Sequence, residues 1–531
     1  MTQRKTQTST FWLQQFAIDA DDIEYLYNLL LEKNEPQATE SLALAVVQRR
    51  SQSEEMAIRA DLQRGTLYQP KEVYRVGDQL LFPRLDYATG VVVGQRPGHN
   101  PQYGNFSVIR VEFEGNGGVA DFVSDFTPPH PLNLEAGQSL AEAEGLASPH
   151  ELYDAFKESI DAKLAAALRR NEEFVNVRGR WFLKGLLVPI HDGHLNITEA
   201  AIDIDDQPLG VDVLLKHLDL SADIPLETQA ISLNYALHED ERFDNVGPRG
   251  QVLWYLSRLE PPQVSETPAQ LRAGETPPVD LNRFDSELRR LVSEIDDERT
   301  EPALIRPPIS DADAVVVTLN YPHRRAGTLP ITPKTASLFP QADEHHVRIT
   351  FVDKRSGEQM PGWVVNEAKY VAGLSQWYSE NQLPVGAYVS VYRTGDPLTV
   401  MVDYQPVRLR REWIRVAVRQ DGRMGFQLLK QPITCEYDDL MVIGVSSQDV
   451  IDAFWVNPES QHRPLETLLR QIFPELAKLN PQGAVHAKTL YSAVNLVRRC
   501  PPGPIFHELS TRTAFIPMGH GYWSFDPSIE T

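Results

Sequence analysis

Cysteine is almost missing from this chain: Cys435 and Cys500 are the only two in 531 residues. They stand far apart and form no CxxC pair, which excludes a cysteine-based structural zinc site and fits a reducing compartment. Long apolar runs are missing too. No stretch of about eighteen apolar residues occurs, so neither a transmembrane helix nor a membrane partner is expected. The opening residues, MTQRKTQTST, are polar and lack the apolar segment of a signal peptide, so a cytoplasmic protein is expected. The chain also lacks a GxxxxGK[ST] phosphate loop, a GxGxxG turn, an HExxH helix, a GxSxG elbow and an EF-hand loop. With those chemistries missing, the expectation is a non-enzymatic protein with no cofactor and no metal.

Positive charge is the other shortage. Lys and Arg number 51 against 73 Asp and Glu, a net charge of −22. Phosphates are repelled by such a surface, which weighs against non-specific nucleic-acid binding. The deficit is unevenly spread. From Ile309 to the end there are 22 basic and 23 acidic residues, so the first 308 carry 29 against 50. The acidity belongs to the N-terminal part.

Hydrophobic content of 42% and charged content of 23% are those of a globular protein, and the length calls for several domains. Periodicity divides them into a multidomain α+β chain of winged helix-turn-helix units combined with small β-barrels. Residues 1–66 read as helical, with stripes such as Ile23, Leu26, Leu29 and Leu30. Residues 67–135 switch to a period of two with glycine-rich turns, resembling small five-stranded barrels of the Tudor or KOW kind. Tyr74, Tyr87, Tyr103 and Phe106 are either a binding rim, with Arg96 and His99 beside it, or the filling of a small core. Residues 148–260 carry LYDAFKESIDAKLAAALRR, a strand–Arg-Gly–strand ribbon, and then a near-repeat of helix and wing in 197–256. Residues 261–308 are rich in Pro, Glu, Thr and Ser around one charged helix and read as a tether. Residues 309–445 return to strands, and 450–527 read as a basic third winged helix, with 7 basic against 3 acidic residues between Gln461 and Trp523.

The middle unit resembles the HARE-type helix-turn-helix family. The matching residues are Pro208-Leu209, Leu233, Ala236-Leu237, Asp240, Arg242-Phe243, Val246-Gly247 and Gly250. That family includes an acidic bacterial RNA polymerase subunit and modules of DNA-acting enzymes and chromatin proteins, so the resemblance implies work around DNA or transcription machinery. Residues 314–445 resemble the plant-type pseudobarrel DNA-binding domain also found in some restriction enzymes. The likeness rests on Leu338-Phe339-Pro340, Trp363-Val364-Val365, Leu374 with Trp377, and Asn381 through Gly386, where the family's Gly-Asp is replaced by Gly386-Ala387.

In a winged helix the third helix faces the major groove. For the middle unit this offers Gln229, Ser232, Asn234 and His238, with Arg249 in the wing. Residues 148–260 nevertheless hold 11 basic against 20 acidic residues, which suits a protein partner better than phosphates. The basic C-terminal unit is the better DNA candidate, with Lys488, Asn495, Arg498 and Arg499 on its expected recognition helix and Arg512 in its wing. Upstream, RLRREWIRVAVR adds Arg408, Arg410, Arg411, Arg415 and Arg419; in a strand the even-spaced pair Arg408 and Arg410 shares a face, which suits a phosphate track. The leading expectation is therefore a protein binding double-stranded DNA through its C-terminal half. The alternative is a scaffold whose acidic winged helix holds a protein partner such as RNA polymerase. A weak third reading is a Mg²⁺-dependent nuclease using Asp353, Glu367 and Lys369.

Overall fold

Asp19 and Ser148 each start a helix in the same way. The side chain accepts the amide of the residue three ahead, Asp22 or Glu151, and that residue's carboxylate accepts the cap amide in return. The computed structural model describes residues 5–62, 66–82, 85, 88–113, 118–133, 146–272, 274, 278–304, 313–343, 345–420, 423–456 and 463–529. Its contacts form two units, Met1–Ile190 with Asp219–Ala236, and His191–Leu218 with Leu237–Thr531.

In the first unit the helices Ala20–Lys33, Thr39–Leu62 and Pro149–Arg169 are followed by the hairpin Phe174–Val177 and Arg180–Leu183. Arg178 and Gly179 both take positive φ at its turn, the conformation that matches the twist of paired strands. The two-residue strand Gln37–Ala38 pairs with Arg180–Leu183, so the sheet order is first, third, second. Leu26, Leu30, Leu42, Val46, Leu164 and Leu168 meet Trp12 and Trp181 in one core. The helix and hairpin of 149–183 thus complete the N-terminal helices, where the sequence suggested a tandem with 197–256. Residues 63–148, placed in the chain between the second and third helices, hide that relationship from sequence neighbours.

Five strands lie within this insertion, Thr66–Leu67, Gln79–Phe82, Ala88–Asn100, Gly104–Phe113 and Val119–Ser124, in chain order across one sheet. Tyr74 joins Tyr68, Phe82 and Phe113 in its core, as the core-filling alternative expects. Phe106 packs edge-on against Phe126, Arg96 pairs with Asp121, and His99 pairs with Asn105; Tyr103 remains exposed. Tyr87 lies outside the described residues.

Of the 197–256 pattern, the helices Asp192–Asp205 and Val211–Leu214 and a short hairpin of Phe243–Asn245 with Trp254–Leu256 lie in the second unit, while helix Leu226–Glu239 falls mostly in the segment 219–236 of the first. Leu209 bridges to Trp254, again a first-with-third pairing. In the second unit a seven-stranded, barrel-like sheet follows, running Ala314–Thr318, Tyr388–Arg393, Thr399–Tyr404, His346–Asp353, Gln359–Val365, Tyr370–Ala372 and Thr328–Pro330. Only His346–Asp353 with Thr399–Tyr404 is parallel. Its interior holds Val347, Ile349, Phe351, Val364, Leu374, Trp377 and Val389.

The C-terminal segment forms Leu465–Ala477, Val485–His486, Ala487–Asn495, Pro502–Thr511, Phe515–Gly519 and Tyr522–Phe525, with the strands again ordered first, third, second. The residues IFHELST lie in the helix Pro502–Thr511. Two prolines, Pro502 and Pro504, open that helix where their missing amides cost nothing.

The expected tether does not behave as one. Helix Ser286–Ile295 is capped by Asp285, and its stripe Phe284, Leu288, Leu291, Val292 and Ile295 lies in the same core as Leu469, Phe473, Leu490, Phe506 and Leu509. Directly after it, Asp297 and Glu298 are buried against Arg499. Arg499 Nη2 donates to Asp297 Oδ1 and Glu298 Oε1, both at 2.7 Å. Tyr491 donates to Asp297 Oδ2 at 2.6 Å, His323 Nε2 lies 3.1 Å from Glu298 Oε2, and Arg499 Nη1 donates to Asn495 Oδ1. The guanidinium and His323 together hold the Glu298 carboxyl well below its ordinary range, despite complete burial. Removing one member of such a group strands the rest in a low-dielectric interior. Arg499→Ala is expected to lower unfolding stability by about 3–5 kcal/mol in denaturant titration of the full chain; a loss below about 1 kcal/mol would show that water screens the cluster.

Candidate nucleic-acid interface

The strand Pro406–Gln420 and the strand Arg423–Cys435 form an antiparallel ribbon, roughly 45 Å long at about 3.3 Å per residue. It stands outside the seven-stranded sheet, with Ile443–Val445 pairing in parallel along residues 415–417. Alternation explains how the ribbon is held. Ile414, Val416 and Ile433 point to one face and pack with Val442, while Ala417 and Phe426 enter the C-terminal core from the other. Beyond these anchors the ribbon is open. Leu409 and Trp413 are 65% and 63% exposed, and Arg408, Arg410, Arg411 and Arg419 are exposed as well.

Residues 406–435 hold seven basic side chains against Glu412 and Asp421, a local excess of five in a chain of net −22. The register puts Trp413 opposite Lys430, whose ammonium sits 5.3 Å from the indole centre. Arg410 lies 3.7 Å from Glu412 and 4.0 Å from Glu436, weak exposed pairings. Among the described residues Arg408, Arg411 and Arg419 have no ion-pair partner. The register shifts between Pro406 and Arg410, so the simple alternation that pairs Arg408 with Arg410 breaks there, and residues 408 through 411 are all exposed.

Arg415 behaves differently. Burial lowers its pKa, and its Nη1 donates to the Asp439 carbonyl at 2.8 Å. Together with Trp413, Tyr437, His486 and Tyr522 it lines a cavity of about 400 Å³ beside the ribbon. Burial, and then Lys488, pushes the His486 imidazole down to about 4.

The C-terminal residues expected to contact DNA are placed otherwise. Helix Ala487–Asn495 is buried on every side. Lys488 is held by Asp438 at 3.1 Å and Glu294 at 2.8 Å, Asn495 caps the Cys500 backbone, and Arg499 belongs to the buried cluster. Arg498 donates to the Arg463 carbonyl, and Arg512 pairs with Glu508 and Glu466. The helix read as a recognition helix is the second of its unit, and its even mixture of apolar and polar residues reflects burial among polar partners.

The middle unit's candidates are likewise engaged. Gln229 donates to the carbonyls of Ser221 and Ile224, and Ser232 bridges the Thr228 carbonyl and the Val188 amide. Asn234 is buried, and Arg249 pairs with Asp343 at 3.2 Å. The nuclease trio is not assembled. Asp353 accepts Trp377 Nε1 and two turn amides, while His346 opposes Val365 at the far end of the same strand pair. Glu367 and Lys369 therefore stand roughly 20 Å away, at about 3.3 Å per residue.

No protein-family model, curated protein or solved structure matches this chain, and no helix among the described residues is long and apolar enough to cross a membrane.

His486 gives the region a measurable pH signature. An unfolded histidine takes up its proton near 6.5, whereas this one resists until about 4. Between those values the unfolded chain binds more protons, so stability is full above pH 6.5 and falls as pH drops toward 4. His486→Gln is expected to flatten the dependence of melting temperature on pH across that window; an unchanged slope would place the acid sensitivity elsewhere.

Proposed function

We propose that this protein binds double-stranded DNA through the ribbon 406–435, with its three helical units serving as scaffold. The observation that carries this reading is the exposed, two-stranded ribbon with an excess of five positive charges on an otherwise acidic chain. The major groove accepts a two-stranded ribbon as readily as a helix. Arg408, Arg410, Arg411, Arg419 and Lys430 supply phosphate contacts, and Trp413 supplies an apolar surface among them. The acidic remainder repels the duplex and so restricts how it can approach.

We read the three helical units as winged helices. Each runs through three helices to a two-stranded hairpin, and a short strand or bridge after the first helix pairs with the last strand. Their third helices are not the DNA surface in this reading. The acidic stretch 148–260 favours a second contact of another kind, a basic protein surface such as one in transcription machinery, because its excess of nine negative charges opposes phosphate.

Fluorescence anisotropy with a labelled duplex and the full chain tests the ribbon. With about four or five phosphates neutralised, log Kobs is expected to fall with log salt with a slope of about −4. Arg408→Ala/Arg410→Ala/Arg411→Ala should weaken binding severely at low salt and reduce that slope to between about −1 and −2. Equal binding by the triple variant, or no binding by the parent at low salt, would sink the proposal.

A further inference from the structure

We propose that Asp244, Glu260 and His346 form a site for a divalent transition-metal ion of the Zn²⁺ type. One donor atom from each lies within 4.8 Å of the others, and Glu260 Oε1 is 2.9 Å from His346 Nε2. An ion bound at about 2.0–2.2 Å to nitrogen and oxygen needs neighbouring donors about 3.3 Å apart, so the glutamate and histidine, in direct contact without an ion, need to part by only about 0.4 Å to admit one. Asp244 is half-buried and offers a carboxylate oxygen within 4.8 Å of both as the third donor.

The three residues come from distant parts of the second unit: the hairpin strand Phe243–Asn245, the residue after the turn Ser257–Leu259, and the first position of His346–Asp353. Backbone contacts fix these segments independently of any ion. The Arg348 amide donates to the Val246 carbonyl, the Arg249 amide donates to Gln341, and Pro248 bridges to Ala342. Trp363 packs edge-on to the His346 ring at 5.5 Å and restrains it. A preorganised site of this kind pays little ordering cost when it binds.

Charge also points to a cation. The side chains of Glu260 and His346 are only 6% and 9% exposed. One imidazole cannot neutralise two carboxylates, whereas a dication does. Arg348, two residues along the same strand, is turned to the Asp206 carbonyl and lies 4.4 Å over the Tyr255 ring. Imidazole with two carboxylates is a donor set for Zn²⁺ and its neighbours in the first transition row. His345, adjacent in sequence, is exposed, which makes it the natural control for adventitious binding.

The test uses the metal-stripped full chain, titrated with Zn²⁺ by calorimetry and with Co²⁺ by visible absorption. One saturable equivalent is expected, weakened at least tenfold by His346→Gln and by Asp244→Asn, and unaffected by His345→Gln. Additional weak equivalents at other histidines leave the expectation intact if the two site variants lose one equivalent. Asp244→Asn keeps the Glu260–His346 contact, so it reports on ligation even if His346→Gln does not fold. Absence of any saturable equivalent, or parent-like Zn²⁺ and Co²⁺ binding by Asp244→Asn, would overturn the site. The site makes no use of the ribbon, so either proposal can fail without the other.

Discussion

The C-terminal half of this protein depends on one buried guanidinium. Arg499 lies fully inside with two carboxylates, Asp297 and Glu298, that the chain supplies some two hundred residues earlier. Burying three charges costs several kcal/mol for each ion unless geometry and further hydrogen bonds compensate. Tyr491, Asn495 and His323 provide them, and Asn320 extends the network by donating to the Tyr491 hydroxyl. The network fixes the residue order after helix Ser286–Ile295 against the C-terminal helices, and it ties in the short helix Tyr321–Ala326 that leads into the seven-stranded sheet. A stretch of composition typical of a linker thereby becomes part of the core.

That constraint decides where a functional surface can be. Every basic residue drawn into the polar interior is lost to an outside partner, and Lys488, Arg499 and, in part, Arg415 are lost this way. The positive charge left over is concentrated on the ribbon, where pairing to one neighbouring strand and a small apolar cluster hold residues 414–417 and leave 408–413 projecting. Leu409 and Trp413 stay exposed there among the cationic side chains, and the proposed duplex contact rests on this surface.

Much of the architecture was legible in the sequence, and the failures share a cause. The period-three and period-two patterns located the strands of the seven-stranded sheet, the Arg178-Gly179 turn and helix Leu226–Glu239, because each needs only local information. Three errors needed contacts far along the chain. The helix Ser286–Ile295 carries Leu288, Leu291, Val292 and Ile295 on one stripe, a signal that the surrounding Pro and Glu residues obscured. Helix Pro149–Arg169 belongs to a unit begun over a hundred residues earlier. For Lys488 and Arg499 polar identity does not mean exposure, because acidic partners at 294, 297, 298 and 438 bury them, and Asn495 is buried with Arg499 and the Cys500 backbone.

The same limit explains why the Asp244, Glu260 and His346 cluster escaped sequence reading. Metal motifs are recognisable when one helix or one turn places two ligands at fixed spacing, since the local backbone then does the positioning. Here no two ligands share an element, and the spacings of sixteen and eighty-six residues carry no periodic meaning. His345, exposed just before the strand, gives no hint of its neighbour: His346, the first residue of the strand, is the one buried beside a carboxylate from a different segment.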